Sequence, residues 1–199
     1  MLSVLKKLDS KKLIKLDQTE QAMYIGEIIK SIAKFSNHNY YWYDEEKIIW
    51  IDMDRDEFYS YFTNALALFI RQIKIKKNDN DNLLIDKLKA NLNKTSYLKA
   101  LHERMIKSIK DDNFHLILNE QPHEFPIINH RKVDFRTGKV SKRTHEDKFN
   151  FESIVDVVKD TPNADRFFES IMPDAENREY LRRVLGYLLT GDTAARCFF

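Results

Sequence analysis

Residues 40–73 read YYWYDEEKIIWIDMDRDEFYSYFTNALALFIRQI, and the change of rhythm inside them decides the fold class. Tyr40 to Tyr43 and Lys47 to Ile51 are dense in aromatic and β-branched side chains, separated by Asp44, Glu45 and Glu46, so this half reads as a β-hairpin. Asp54 followed three residues later by Glu57 is a capping box that opens a helix, and Phe58, Tyr61, Phe62, Ala65, Phe69 and Ile73 then recur along one broad apolar face. Lys74, Lys76 and Lys77 fall at the negative end of that helix. An aromatic hairpin running straight into a long amphipathic helix is the start of an α+β protein.

The flanks extend the same reading. Upstream, Leu2, Leu5, Leu8 and Leu13 predict a short helix whose Lys6, Lys7, Lys11, Lys12 and Lys15 form a solvated face; the other reading of those lysines is a nucleic-acid arm. Ala22, Ile25, Ile28, Ile29, Ile32 and Phe35 make one helical stripe over Thr19 to Phe35, broken by Ser36 to Asn39. Downstream, Asn78 to Asn82 reads as a linker, a hinge between subdomains or a cap for the helix holding Leu83, Leu84 and Leu88. Ser96 to Lys110 is a further helix, with Leu98, Leu101, Met105 and Ile109 inward. Phe114 to Phe151 changes character, with two prolines, short apolar runs and a Thr-Gly turn, and reads as short strands and loops.

Thr161 and Pro162 open a helix carrying Phe167, Phe168 and Ile171, and Pro173 suits the first turn of the next. In that helix Leu181, Val184, Leu185, Leu188 and Leu189 share a face, Gly186 reads as a point of close packing, and Gly191 as the stop before the apolar Cys197, Phe198 and Phe199. The expected architecture is mainly α with small β elements: a helical bundle with an aromatic β-hairpin and a basic one. Subdomains are expected over 1–77 and 83–199, the second containing the basic β segment 129–151.

Composition narrows the functional classes. The 199 residues are 43% hydrophobic and 32% charged, as in a folded, soluble protein. The longest apolar run, Ala65 to Ile70, is too short to span a bilayer, and MLSVLKKLDSKKL lacks the apolar stretch of a signal peptide, so an intracellular protein without a membrane partner is expected. The single cysteine, Cys197, excludes an internal disulfide and any zinc site built on two thiolates. A net charge of +2 does not by itself announce nucleic-acid binding, so that function has to rest on local clustering.

Such a cluster exists. Arg131, Lys132, Arg136, Lys139, Lys142, Arg143 and Lys148 stand against Asp134, Glu146 and Asp147 within residues 129–148, and alternation puts Lys139, Ser141 and Arg143 on one strand face. Arg131, Lys132, Arg136, Lys139, Lys142 and Arg143 are the candidate DNA-binding residues, contacting phosphates without reading sequence; the alternative is an ordinary solvated hairpin. Tyr40 to Tyr43 and Trp50 suit base stacking or, better, core packing, since the acidic residues between Asp44 and Glu57 repel a phosphate backbone. Asp52 and Asp54 on one strand face would be two carboxylates of a two-metal primase site, although helix capping accounts for Asp54 more simply. A calcium loop fails there, because Glu57 and Thr63 occupy the positions that need Gly and a bidentate Glu. The histidines, His38, His102, His115, His123, His130 and His145, show no metal-ligand spacing.

Tyr180 to Gly191, YLRRVLGYLLTG, followed by Arg196 to Phe199, resembles the segment just upstream of the Walker A loop in superfamily 3 primase-helicases of the poxvirus type, found in large DNA viruses, phages and some plasmids. Phe125 to Asn129 with Val133 to Val140, and the aromatic pair Tyr40 to Tyr43 and Ile48 to Trp50, are similar to two further blocks of that family, in the same order. Where relatives often carry Asn-Gly, this chain has Asn129-His130.

The resemblance implies a region preceding an ATPase motor, with the Walker A loop following a few residues beyond Phe199. The chain's own glycines, Gly26, Gly138, Gly186 and Gly191, precede no Lys-Ser or Lys-Thr pair, so no phosphate-cradling loop is encoded here. No cofactor is expected in this chain, whereas ATP and magnesium are implied for the parent helicase. The implied partners are single-stranded or forked DNA, a C-terminal ATPase domain and further copies in a homo-hexamer, at a replication site in the host cytoplasm. A metal-dependent primase built on Asp52 and Asp54, and an oligomerisation module without DNA affinity, are the alternatives.

Overall fold

The computed structural model describes residues 2–73, 79–158 and 161–190. The protein is α+β, helical for the most part, with two small three-stranded antiparallel sheets. The chain divides into two compact units, Met1–Asp44 with Ile51–Leu116, and Glu45–Trp50 with the residues from Ile117 onward. The boundary expected at 78–82 is not where the units part: Asp79 already belongs to a helix of the first unit, and Asn78 lies outside the described residues, as do Lys74, Lys76 and Lys77.

The first unit begins with two single-turn helices, α1 (Leu2–Leu5) and α2 (Ser10–Leu13), rather than one, because Asp9 starts a fresh turn by accepting the backbone N–H groups of Lys11 and Lys12. Leu5, Leu8 and Leu13 are nevertheless buried, and Lys6, Lys7, Lys11, Lys12 and Lys15 exposed. Helix α3 (Gln18–Ile29) carries a full capping box of Asp17 and Glu20. Its neighbour across the core is α6 (Thr95–Ile109), and Gly26 permits the approach: a Cβ there would stand 2.5 Å from Ser108 Cβ and 3.3 Å from the Met105 carbonyl oxygen.

The stripe expected to stay helical through Phe35 does not. Helix α3 ends at Ile29, and Ala33–Ser36 form strand β1, paired with β2 (Asn39–Asp44) in the register Ala33↔Trp42 to Ser36↔Asn39. Ile32 and Phe35 kept helical spacing by coincidence; a two-residue turn, Asn37 and His38, both left-handed with φ of 47° and 67°, folds the segment onto the aromatic strand. Strand β3 (Ile49–Met53) completes the order β1-β2-β3, so the expected hairpin gains a third strand. The outer edge of β1 is covered, as Asp111 N–H donates to the Phe35 carbonyl at 2.9 Å.

Helix α4 (Arg55–Gln72) starts on the predicted capping box, Asp54 accepting the N–H groups of Asp56 and Glu57 at 2.8 Å while Glu57 reaches back to the Asp54 N–H. It buries Phe58, Phe62, Ala65, Leu66, Phe69 and Ile70, and Phe58 stacks on Tyr40 at a centroid distance of 4.6 Å. Helix α5 (Asp79–Leu92) buries Ile85 and Leu88.

In the second unit β4 (Glu124–Ile127), β5 (Arg131–Asp134) and β6 (Lys139–Lys142) form the other meander. Its core holds Trp50, Ile127, Val133 and Phe149, and the Trp50 N–H donates to the Phe149 carbonyl at 2.7 Å. The segment after Phe151 runs beside β4, with Ser153 N–H donating to the Pro126 carbonyl at 3.0 Å. Helix α7 (Pro162–Ile171) opens on Thr161 and Pro162 as expected. Helix α8 (Ala175–Thr190) begins two residues beyond Pro173, since Asp174 is the residue that caps it, accepting from the Asn177 N–H at 2.8 Å. Gly186 does not mark close packing: a Cβ there would meet nothing within 4 Å. Gly191 and Cys197 to Phe199 lie outside the described residues.

Candidate nucleic-acid interface

The basic segment is built on β5 and β6. Their register sets Arg131 opposite Lys142, Lys132 opposite Ser141, Val133 opposite Val140 and Asp134 opposite Lys139. Between the strands, Gly138 (φ 68°) closes the Thr-Gly turn by donating to the Asp134 carbonyl at 2.8 Å. The Asp134 carboxylate accepts the Arg136 N–H at 2.9 Å, and that bond, before the Thr137 hydroxyl and the Arg136 guanidinium, holds its carboxyl below the usual carboxylate range. At the other end of the meander Asn129 and His130 are both left-handed, φ 62° and 57°, so a histidine adopts the geometry that glycine fills more easily.

The six candidate cations separate into two groups. Arg131 pairs with Asp156 at 2.5 Å. Lys132 is held at 2.6 Å by both Glu124 and Asp147; burial opposes its charge, but these two carboxylates win and push its pKa up. Arg143 lies just past β6 with its side chain 0% exposed, Nη2 donating to Glu152 Oε1 at 2.6 Å and to the Lys47 carbonyl at 3.2 Å. A guanidinium with no exposed surface cannot reach a phosphate without leaving its place in the core and its half-buried partner Glu152, so Arg143 acts as an internal tie. Arg136, Lys139 and Lys142 are exposed, and Arg136 is only loosely associated with Asp134 at 3.6 Å. The expected shared face of Lys139, Ser141 and Arg143 therefore ends at Ser141.

The charge count over 129–148 missed why the cluster divides. Glu124 lies before that window, and Glu152 and Asp156 lie after it; the antiparallel return of the chain brings all three onto the basic side chains. The only signal in the sequence was the presence of these acids within a few residues of the segment.

The other candidates are placed as follows. Tyr40, Tyr41, Trp42, Tyr43 and Trp50 are all buried, which removes them as a base-stacking platform and makes them core. Asp54 is the α4 cap, while Asp52 is exposed and accepts from Asn39 Nδ2 at 3.5 Å. Among the described residues no three His, Cys, Asp or Glu side chains are grouped to hold a metal ion, and no helix is long and apolar enough to cross a membrane. His102 is buried between the rings of Tyr40, Phe58 and Tyr59, and that burial, with Arg55 nearby, lowers its pKa to about 4.

The same unit also leaves large apolar side chains exposed. Ile154, Val155 and Val158 are exposed, and on α7 and α8 Phe167, Ile171, Leu188 and Leu189 are all more than half exposed. No protein-family model matches the chain, and no curated protein matches it.

Proposed function

We propose that this chain is the region preceding the ATPase motor of a superfamily 3 replicative helicase of the large-DNA-virus type, supporting ring assembly and DNA engagement without a motor of its own. The observation that carries the reading is helix α8. It contains the string Tyr180 to Thr190 on which the resemblance rests, and its apolar residues Leu188 and Leu189 stand 59% and 60% exposed, which suits a face covered by another domain or another copy. Arg136, Lys139 and Lys142 support DNA engagement as exposed cations on one turn and strand. ATP and magnesium belong to the parent enzyme in this reading, as do the homo-hexameric ring and the host cytoplasm as the place of work.

The test is fluorescence anisotropy of labelled single-stranded and forked DNA across a salt series, comparing the wild type with Arg136→Glu, Lys139→Glu, Lys142→Glu. The expected result is salt-sensitive binding, with the salt slope of the variant flatter by roughly three contacts' worth. A folded protein that binds neither DNA at low salt removes DNA engagement and leaves an interaction module, the reading that the exposed apolar face alone would favour.

A further inference from the structure

A second place in the molecule has the build of a ligand site, and it is unrelated to the basic sheet. In the first unit a cleft of about 660 Å³ opens between the start of α3, helix α5 and the start of α6, a size within the roughly 300–1,000 Å³ of small-molecule sites. Lys15, Lys87 and Lys94 border it, and Asp17 is the one carboxylate among its lining residues. Asp17 is already engaged, its Oδ1 accepting the Glu20 N–H at 2.8 Å as the α3 cap. Lys94 Nζ donates to Asn91 Oδ1 at 3.1 Å, a neutral amide that leaves its charge uncompensated.

The floor of the cleft is polar and fixed. Tyr97 and Gln21 are both buried; the Tyr97 hydroxyl donates to Gln21 Oε1, Gln21 Nε2 donates to the Leu13 carbonyl at 3.2 Å, and Gln18 Nε2 donates to the Tyr97 carbonyl at 3.0 Å. These bonds hold the amide and phenol in place while leaving one Gln21 N–H and the phenol oxygen's lone pairs unused. Leu84 and Leu88 supply an apolar wall.

We propose that this cleft binds a small phosphorylated molecule of mononucleotide size, its phosphate among Lys15, Lys87 and Lys94 and its apolar body against Leu84 and Leu88. Three cations around one cleft favour a compact anion, and the polar floor selects a ligand with a donor or acceptor at its far end. The proposal is independent of the helicase reading, since none of these residues lies in the basic sheet or in α8.

The experiment uses the full chain, AMP as probe, with adenosine, inorganic phosphate and a thymidine oligonucleotide as the other arms, read by calorimetry and by the shift in Tm. The expected result is saturable AMP binding that raises Tm, no effect of adenosine, and a loss of roughly tenfold or more in affinity for Lys15→Ala, Lys87→Ala, Lys94→Ala with an unchanged Tm without ligand. Tyr97→Phe, which keeps the ring, is expected to weaken AMP less than the lysine variant does. Absence of AMP binding at millimolar concentration overturns the proposal, as does an unchanged AMP affinity in the lysine variant. So does an oligonucleotide that depends on these lysines while AMP fails to bind, which would make them contacts for a nucleic-acid backbone.

Discussion

Around β1 and β2 the chain is closed by rings: Trp42 meets Tyr61 edge-on at 5.4 Å, Tyr40 stacks on Phe58, and Tyr41 leans on Phe114 at 5.4 Å. Around β4, β5 and β6, a meander of the same strand order, rings also meet, Phe125 against Phe135 at 5.7 Å and against Phe151 at 5.6 Å, but a set of closer ion pairs is added: Arg131 to Asp156, Lys132 to Glu124 and Asp147, Arg143 to Glu152. Two sheets of similar size thus share an apolar core and differ in how much ion pairing is added to it. Apolar burial is non-directional and insensitive to salt, whereas an ion pair depends on geometry and on the exclusion of water. The rings of the first sheet are buried in the core, while the second sheet keeps Arg136, Lys139 and Lys142 outside its close ion pairs and exposed.

The sharpest way to break this contrast is to remove one member from each side. Phe58→Ala leaves a cavity under Tyr40 and is expected to cost about 3–5 kcal/mol in denaturant unfolding, unchanged between low and high salt. Arg143→Ala removes a fully buried side chain and leaves the half-buried Glu152 without its cation, with an expected cost of about 2–3 kcal/mol, while Arg143→Met with Glu152→Gln recovers most of it, because an apolar side chain fills the buried position and no unpaired charge remains. A double variant as unstable as Arg143→Ala alone would mean that the second unit is held by the ion pair's geometry and not merely by the avoidance of a bare charge.

A smaller effect is expected from pH, and on the aromatic side it rests on His102. His102 titrates near 4 in the folded protein, below its ordinary 6.5, because burial among rings disfavours the imidazolium. The unfolded chain therefore binds more protons between about 6.5 and 4, and stability falls as pH is lowered through that window. The ceiling is about 1.4 kcal/mol per pH unit, and because the difference in bound protons is less than one near either pKa, the average slope is on the order of 1 kcal/mol per unit. His102→Phe should flatten the stability–pH curve between 6.5 and 4; an equally steep curve in that variant would assign the acid sensitivity to other groups.

What could be read in advance follows the range of the interaction. The α4 start was legible because Asp54 and Glu57 cap within three residues, and the aromatic strands because β-propensity and turn chemistry are local. The end of α3 was not, since Ile32 and Phe35 satisfy helical spacing and only the pairing with Tyr40 to Trp42 converts that segment to strand. In the candidate site the sequence showed how many cations there are but not which are free. Arg131 and Arg143 are taken by Asp156 and Glu152, partners brought in by the return of the chain. The apolar face of α8 is likewise visible as a pattern, but Gly186, with nothing within 4 Å, shows that periodic apolar residues do not by themselves imply burial.

The finest distinction between the sheets lies in their first turns, which look alike. Both are made by Asn followed by His, Asn37-His38 and Asn129-His130, and all four residues have positive φ. Asn tolerates this region through its short polar side chain, but His pays about 1 kcal/mol for the Cβ clash that Gly avoids. Since His38 and His130 are both exposed, replacing either by Gly removes no packing. Gly also gives the unfolded chain more freedom, which offsets part of the gain, so His38→Gly and His130→Gly are each expected to stabilise by roughly 0.5 kcal/mol. Thermal unfolding of the two variants checks whether the turns are equivalent. Equal small gains would mean that each histidine is only strained. Loss of stability in one alone would mean that its imidazole is used where it stands, since the backbone bond from the Arg143 N–H to the His130 carbonyl at 2.7 Å survives the change to Gly.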